Sequence, residues 1–177
     1  MKELLETNWE TIWKEAKKIE KFYPHVVRPR KPFNENSPEL INNILKCRGW
    51  TRVESVENKW WNFPLIVKGK PTQVGKELAP LTLGILKKID GLFNCGFSLI
   101  LPKGFIEPHV DPKKDGDSST DKTWHLGLRC PPHCYLIQGE NAYEEKDGKF
   151  LEFNATKTHS AVNMSDEPRV ILYITFS

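Results

Sequence analysis

Residues 123–130 read TWHLGLRC. In an extended strand Leu126 and Leu128 share one face, and His125, Gly127 and Arg129 share the other. The same alternation runs through GFSLIL (96–101), where Phe97, Leu99 and Leu101 oppose Ser98 and Ile100. It recurs in RVILYITF (169–176), where Val170, Leu172, Ile174 and Phe176 oppose Arg169, Ile171, Tyr173 and Thr175. Each run thus carries one wholly apolar face and one that mixes apolar groups with a few polar ones. The apolar face suits packing against helices. The mixed face suits either solvent on a one-sided sheet or the interior of a barrel that holds a polar ligand.

From Gly91 onward such runs alternate with turn signals: FNCGFSLILP (93–102), TWHLGLRC, CYLIQG (134–139), KFLEFN (149–154) and RVILYITFS (169–177). Asp147-Gly148, between CYLIQG and KFLEFN, is a hairpin signal. Before residue 91 the pattern is helical. Leu5, Trp9, Ile12, Ala16 and Ile19 recur at three- and four-residue steps and predict an amphipathic helix over 3–22. FYPHVVRPRKPF (22–33) is too rich in proline to continue it. Ser37-Pro38 then caps a second helix carrying Leu40, Ile41, Ile44 and Leu45, and a third covers 77–89 with Pro80 near its start. Trp60 and Trp61, in KWWNFPLIV (59–67), read as core aromatics. The expectation is one α+β, mainly β domain over 1–177. Residues 1–90 form a mostly helical part packed on a β core over 91–177, a sandwich or barrel such as a jelly roll.

The composition agrees with one ordinary globular domain: 177 residues, 38% hydrophobic and 28% charged. The net charge of +3 is mild, and lysines sit beside acids, as in KEAKKIEK (14–21). That is a solvated face, and no nucleic-acid partner is expected. Apolar stretches such as FSLIL (97–101) fall far short of the roughly 18 residues that cross a bilayer. MKELLETNWE lacks the apolar core of a signal peptide, so the expected location is cytoplasmic, away from membranes. Cys47, Cys95, Cys130 and Cys134 are then expected to be free thiols. Cys130-Pro-Pro-His133-Cys134 offers one close pair of ligands where a structural zinc usually takes two.

The chemistry gathers around EPHVDPKKDGDSSTDKT (107–123), which opens with His109-x-Asp111. Two histidines and one carboxylate with open positions form the facial triad of non-haem Fe(II) oxygenases. Residues two apart at a strand end point the same way, so His109 and Asp111 supply two ligands. The third must come from a distant strand that neighbours the first. His159, in NATKTHSAVN (154–163), is the candidate. The usual cosubstrate of such an iron is 2-oxoglutarate, whose remote carboxylate needs a buried cation. Arg169, on the mixed face of the last strand, offers the planar fork that suits a carboxylate. On spacing alone this reading and a polar loop edge remain open.

From Trp60 to the C-terminus the chain resembles the aspartyl/asparaginyl β-hydroxylase family. The resemblance lies in WWNFPL (60–65), GFSLILPKGFIEPH (96–109), HLGLRCP (125–131), FLEFNATKTHSAVN (150–163) and RVILYI (169–174). It implies a double-stranded β-helix dioxygenase that uses Fe(II), 2-oxoglutarate and O2. Such an enzyme oxidatively decarboxylates 2-oxoglutarate and hydroxylates an unactivated C–H, here of an Asp, Asn or Pro side chain in a peptide or protein. The same chemistry on a free amino acid or small molecule is a second reading, and a cupin-like binding module without turnover a third. The resemblance makes His109 and His159 metal ligands and Ser98, His125 and Arg169 contacts of 2-oxoglutarate. Two departures stand out. Asp111 occupies a place where the vertebrate enzyme has glycine, so a full His109, Asp111, His159 catalytic triad is expected. Thr123 occupies the place of an arginine, with Lys122 beside it as a candidate substitute. The loop 111–123 reads either as solvated or as a lid over the site.

Overall fold

The computed structural model describes residues 1–19, 27–28, 49–53, 59–111 and 122–176. The helix expected after Ser37, most of the Pro-rich connection, Cys47 and most of the polar loop after Asp111 lie outside the described residues. The N-terminal part comprises α1 (Lys2–Ile19), β1 (Val27–Arg28), β2 (Thr51–Val53), β3 (Trp60–Val67), β4 (Lys70–Pro71), α2 (Gln73–Leu78) and α3 (Pro80–Leu86). Then follow β5 (Leu92–Ile100), β6 (Gly104–His109), β7 (Lys122–Arg129), β8 (Cys134–Gln138), β9 (Asn141–Glu144), β10 (Phe150–Asn154), β11 (His159–Asn163) and β12 (Arg169–Phe176).

The last eight strands divide between two sheets, ordered β5-β12-β7-β10 and β6-β11-β8-β9. The first of them pairs with the last, the second with the next to last, and all these pairings are antiparallel. This is the double-stranded β-helix, a jelly roll, and the protein is mainly β as expected. The alternation in β5, β7 and β12 explains it. Phe97, Leu99, Leu126, Leu128, Val170, Leu172 and Ile174 form one buried cluster with Leu5, Ile12, Ala16 and Ile19 of α1. The helix therefore covers the apolar face of the larger sheet. Each fully buried Leu or Ile there contributes roughly 1.5–3 kcal/mol.

Three expectations need correction. The β core does not begin at residue 91, because β3 pairs with β5 along Trp60–Ile66 and extends the larger sheet. Pro64 is accommodated beside a register shift between Pro64 and Ile66, where a strand tolerates a residue with no N–H. The single helix over 77–89 is instead two. Thr72 caps α2 by accepting from Gly75 N at 2.9 Å, Ala79 leaves helical geometry at φ −137°, and Pro80 starts α3 afresh. The first turn of α3 is capped from α1: the buried Glu15 carboxylate accepts from Leu81 N at 3.0 Å and Thr82 N at 2.7 Å. Finally, Asp147-Gly148 joins no hairpin. The hairpin turns at Gly139-Glu140, with Gln138 opposite Asn141. Asp147-Gly148 carries the chain from β9 in one sheet to β10 in the other.

Candidate active site

β6 ends at His109 and β11 begins at His159, and the two residues lie directly opposite each other in the ladder. Their ring centroids are 4.2 Å apart. Asp111 follows β6, held by its N–H donating to Ala155 O at 3.0 Å. Its Oδ1 lies 3.5 Å from His109 Nε2. The potential ligand atoms of His109, Asp111 and His159 all fall within 4.8 Å of one another, the one such group of His, Cys, Asp and Glu among the described residues. Cys95, Cys130 and Cys134 are free thiols and take no part in it.

Both imidazoles are held from behind. His109 Nδ1 lies 2.7 Å from Glu107 O, and His159 Nδ1 lies 3.0 Å from Lys157 O. A carbonyl only accepts, so each Nδ1 carries the proton and each Nε2 keeps a lone pair for a metal. Burial holds His159 below the usual histidine range, in the neutral form that ligates. Two imidazoles and one carboxylate, with this backing, fit a six-coordinate Fe(II) that leaves positions open.

The mixed faces of β3, β5, β7 and β12 line the same interior. Across the ladders Asn62 stands opposite Ser98, Ser98 opposite Ile171, and His125 opposite Tyr173. Ser98 is buried and accepts from Trp60 Nε1 at 2.9 Å, which leaves its own O–H to donate. Trp60 therefore belongs to this interior face, while Trp61, one residue on, packs against the core as expected. Thr123 is buried on the same face as His125. Lys122 points the other way. Its Nζ meets Glu152 Oε2 at 3.0 Å and lies 5.3 Å from the Trp124 ring centroid, so it does not replace the missing arginine.

Arg169 is fully buried, and its guanidinium is engaged by a residue the motifs did not single out, Glu145. Arg169 Nε donates to Glu145 Oε2 at 2.6 Å and Nη2 to Oε1 at 2.5 Å. His125 Nδ1 reaches the same Oε1 at 2.9 Å. Burial would raise the Glu145 pKa, but the charge of Arg169 and the His125 hydrogen bond outweigh it and hold it at about 2. Burial lowers the pKa of His125 despite Glu145, so its ring is neutral. Burial opposes the charge of Arg169, and Glu145 more than restores it. Two buried polar atoms on this face, Arg169 Nη1 and Asn62 Oδ1, have no partner among the described residues.

Glu145 is placed by backbone. Its N–H donates to Cys134 O at 2.9 Å, and the segment that follows lies on Gly127. Gly127 N donates to Lys149 O, and Gly148 N donates to Gly127 O, each at 2.9 Å. A Cβ on Gly127 would come within 2.0 Å of Lys146 O, so the glycine of HLGL is what admits this segment. In the sequence AYEEKDG (142–148) offers only the Asp147-Gly148 turn signal. A buried arginine requires a counter-charge, but the spacing does not say which acid supplies it.

The eight-strand topology, with a two-histidine, one-carboxylate cluster at one sheet and a buried guanidinium on the other, defines a double-stranded β-helix with a candidate metal centre. The chain belongs to the Aspartyl/Asparaginyl beta-hydroxylase family, whose model matches residues 6–177. That match takes in most of α1, a region where no motif was legible. The ornithine lipid ester-linked acyl 2-hydroxylase of Rhizobium tropici is 30% identical over 69% of this chain and 43% of its own. Aspartate beta-hydroxylase domain-containing protein 2 of Xenopus tropicalis is 26% identical over 97% of this chain and 43% of its own. The chain thus spans less than half the length of either relative. Among solved structures, the DMSP lyase DddQ of Ruegeria pomeroyi is similar over 72% of this chain and 55% of its own, with 12% identity and a TM-score of 0.47. Among the described residues no helix is long and apolar enough to cross a membrane.

Proposed function

We propose that this chain is an Fe(II)- and 2-oxoglutarate-dependent dioxygenase that hydroxylates an unactivated C–H. The observation that carries the reading is the grouping of His109, Asp111 and His159 within 4.8 Å, both histidines held through Nδ1. These three residues would hold Fe(II). Bound there, the iron supplies O2 activation, by which 2-oxoglutarate is converted to succinate and CO2 while one oxygen atom enters the substrate C–H.

The protein's own part is placement. The carbonyls of Glu107 and Lys157 aim the two Nε2 lone pairs, and Asp111 adds a negative charge that offsets part of the metal's. Arg169 Nη1 and the Ser98 hydroxyl donate to the remote carboxylate of 2-oxoglutarate. Thr123 brings a hydroxyl, not a second guanidinium, so Arg169 is the guanidinium that meets the carboxylate. Phe153 and Ile171 keep the surroundings dry.

For the substrate, we propose an Asp, Asn or Pro side chain in a peptide or protein, in keeping with family membership. The 30% identity to a lipid acyl 2-hydroxylase favours an acyl chain as the second reading. Anaerobic titration of the full chain with Fe(II) and then 2-oxoglutarate tests the core of the proposal. The expected result is a visible metal-to-ligand absorption band, followed in air by succinate. Iron binding with neither band nor succinate would sink it. A peptide panel set against fatty-acyl substrates separates the two readings.

A further inference from the structure

We infer that Glu145 is a positioning residue of the anion pocket, fixing the tautomer of His125 and turning the guanidinium of Arg169 so that an incoming carboxylate meets its Nη1 end. The inference rests on the reading of Arg169 as the anchor for a carboxylate.

The geometry argues for it in three steps. Glu145 takes up one whole edge of the guanidinium, Nε and Nη2, and its Oε1 also accepts from His125 Nδ1. An ionised carboxylate only accepts, so the His125 proton is placed on Nδ1 and Nε2 is left bare. The donors that remain on Arg169 are the two N–H of Nη1, buried and without a partner among the described residues, and the second N–H of Nη2.

A rival reading makes Glu145 a gate that stands in for the ligand and swings away when the ligand arrives. Its surroundings oppose that. Its N–H is tied to Cys134 O, and the backbone after it is seated on Gly127, where Lys146 O fills the space of a Cβ. Only 2% of its side chain is exposed. A carboxylate that left Arg169 from there would stay buried without a counter-charge. Glu145 is therefore a fixed part of the pocket, and the ligand is held by the Nη1 end of an already neutralised pair.

The test uses the full chain. First, 15N-imidazole spectra of the metal-free protein report the His125 tautomer before and after addition of 2-oxoglutarate or succinate. The expected result is the Nδ1–H form, retained when either anion is added. The Nε2–H form, or loss of the Nδ1–H signal on adding the anion, would overturn the inference. Second, Glu145→Gln, loaded with Fe(II) under anaerobic conditions, is titrated with 2-oxoglutarate. The expected result is a dissociation constant raised about tenfold, with the His125 tautomer scrambled. An unchanged or lower constant would show that Glu145 competes with the ligand or is irrelevant to it. Should Glu145→Gln fail to fold, the wild-type spectra still decide. If wild type binds no 2-oxoglutarate, the dioxygenase reading fails separately, and the tautomer of the free protein still tests Glu145.

Discussion

Glu145 and Arg169 are joined by two hydrogen bonds, Nε to Oε2 at 2.6 Å and Nη2 to Oε1 at 2.5 Å, with 2% and 1% of their side chains exposed. Both charges have left water, and each is tolerable because of the other. Truncating one should therefore hurt far more than replacing both. Arg169→Ala is expected to lose about 3–5 kcal/mol of stability, whereas the double change Glu145→Leu with Arg169→Met is expected to recover most of it. Urea unfolding monitored by tryptophan fluorescence measures both. Equal losses for the single and double variants would contradict the account.

The same pair sets a direction for pH. The folded pKa of Glu145 is depressed to about 2, so its stabilisation is full above the ordinary carboxylate range and is lost as pH falls toward 2. His125 acts in the same direction, because its folded pKa is lowered and the unfolded chain binds its proton more readily. Stability should fall as pH drops below about 6.5 and steepen below about 4.5, the Glu145 part amounting to roughly 3 kcal/mol. Denaturant midpoints from pH 7 to pH 3 check this, and Glu145→Gln should flatten the acid limb.

Metal affinity should follow the cluster. His109→Ala and His159→Ala are each expected to weaken Co(II) binding, with Co(II) as a spectroscopic probe for Fe(II), by on the order of 100-fold, about 2.7 kcal/mol. Asp111→Ala should weaken it less and leave a two-histidine site. A wild-type affinity retained in His159→Ala would remove His159 from the ligand set.

Gly127→Ala forces a Cβ to within 2.0 Å of Lys146 O, a backbone atom that cannot rotate away. The expected cost is about 3 kcal/mol, a Tm lower by roughly 6–12 °C. The same shift moves Glu145 off Arg169, so 2-oxoglutarate binding should weaken in the part of the sample that stays folded. Differential scanning calorimetry beside the anaerobic titration reads both effects.

Asn163 is fully buried at the end of β11 and staples the turn that leads into Arg169. Its Nδ2 donates to Ile100 O at 3.0 Å and Glu167 O at 2.7 Å, and its Oδ1 accepts from Ser165 N at 3.0 Å. Asn163→Ala orphans these groups together and is expected to cost about 2–4 kcal/mol. Hydrogen exchange should rise first at residues 163–169, ahead of global unfolding.

Much of the fold was legible because strand and helix periods are local. The two-residue alternation in β5, β7 and β12 marked the faces that the structure uses, and the three-to-four-residue spacing in α1 marked the stripe it buries. Other features depended on partners far along the chain. Asp147-Gly148 has the chemistry of a hairpin turn, yet its flanking strands belong to different sheets. KWWNFPLIV contains a proline, and only pairing with β5 makes it a strand. Trp60 faces the site and Trp61 the core because the sheet decides which face is inside.

What the sequence determined by itself was the alternation that makes a β core and the placing of His109 and Asp111 two residues apart. The first follows from backbone geometry within one strand, and the second from closeness in the chain. The tertiary structure alone decided that His159 stands opposite His109 and that Glu145 is the counter-charge of Arg169. A buried charge must find a partner, but which one it finds depends on the sheet crossing after β9 and on the space Gly127 leaves for Lys146. Those are relations between segments, and no single stretch of sequence contains them.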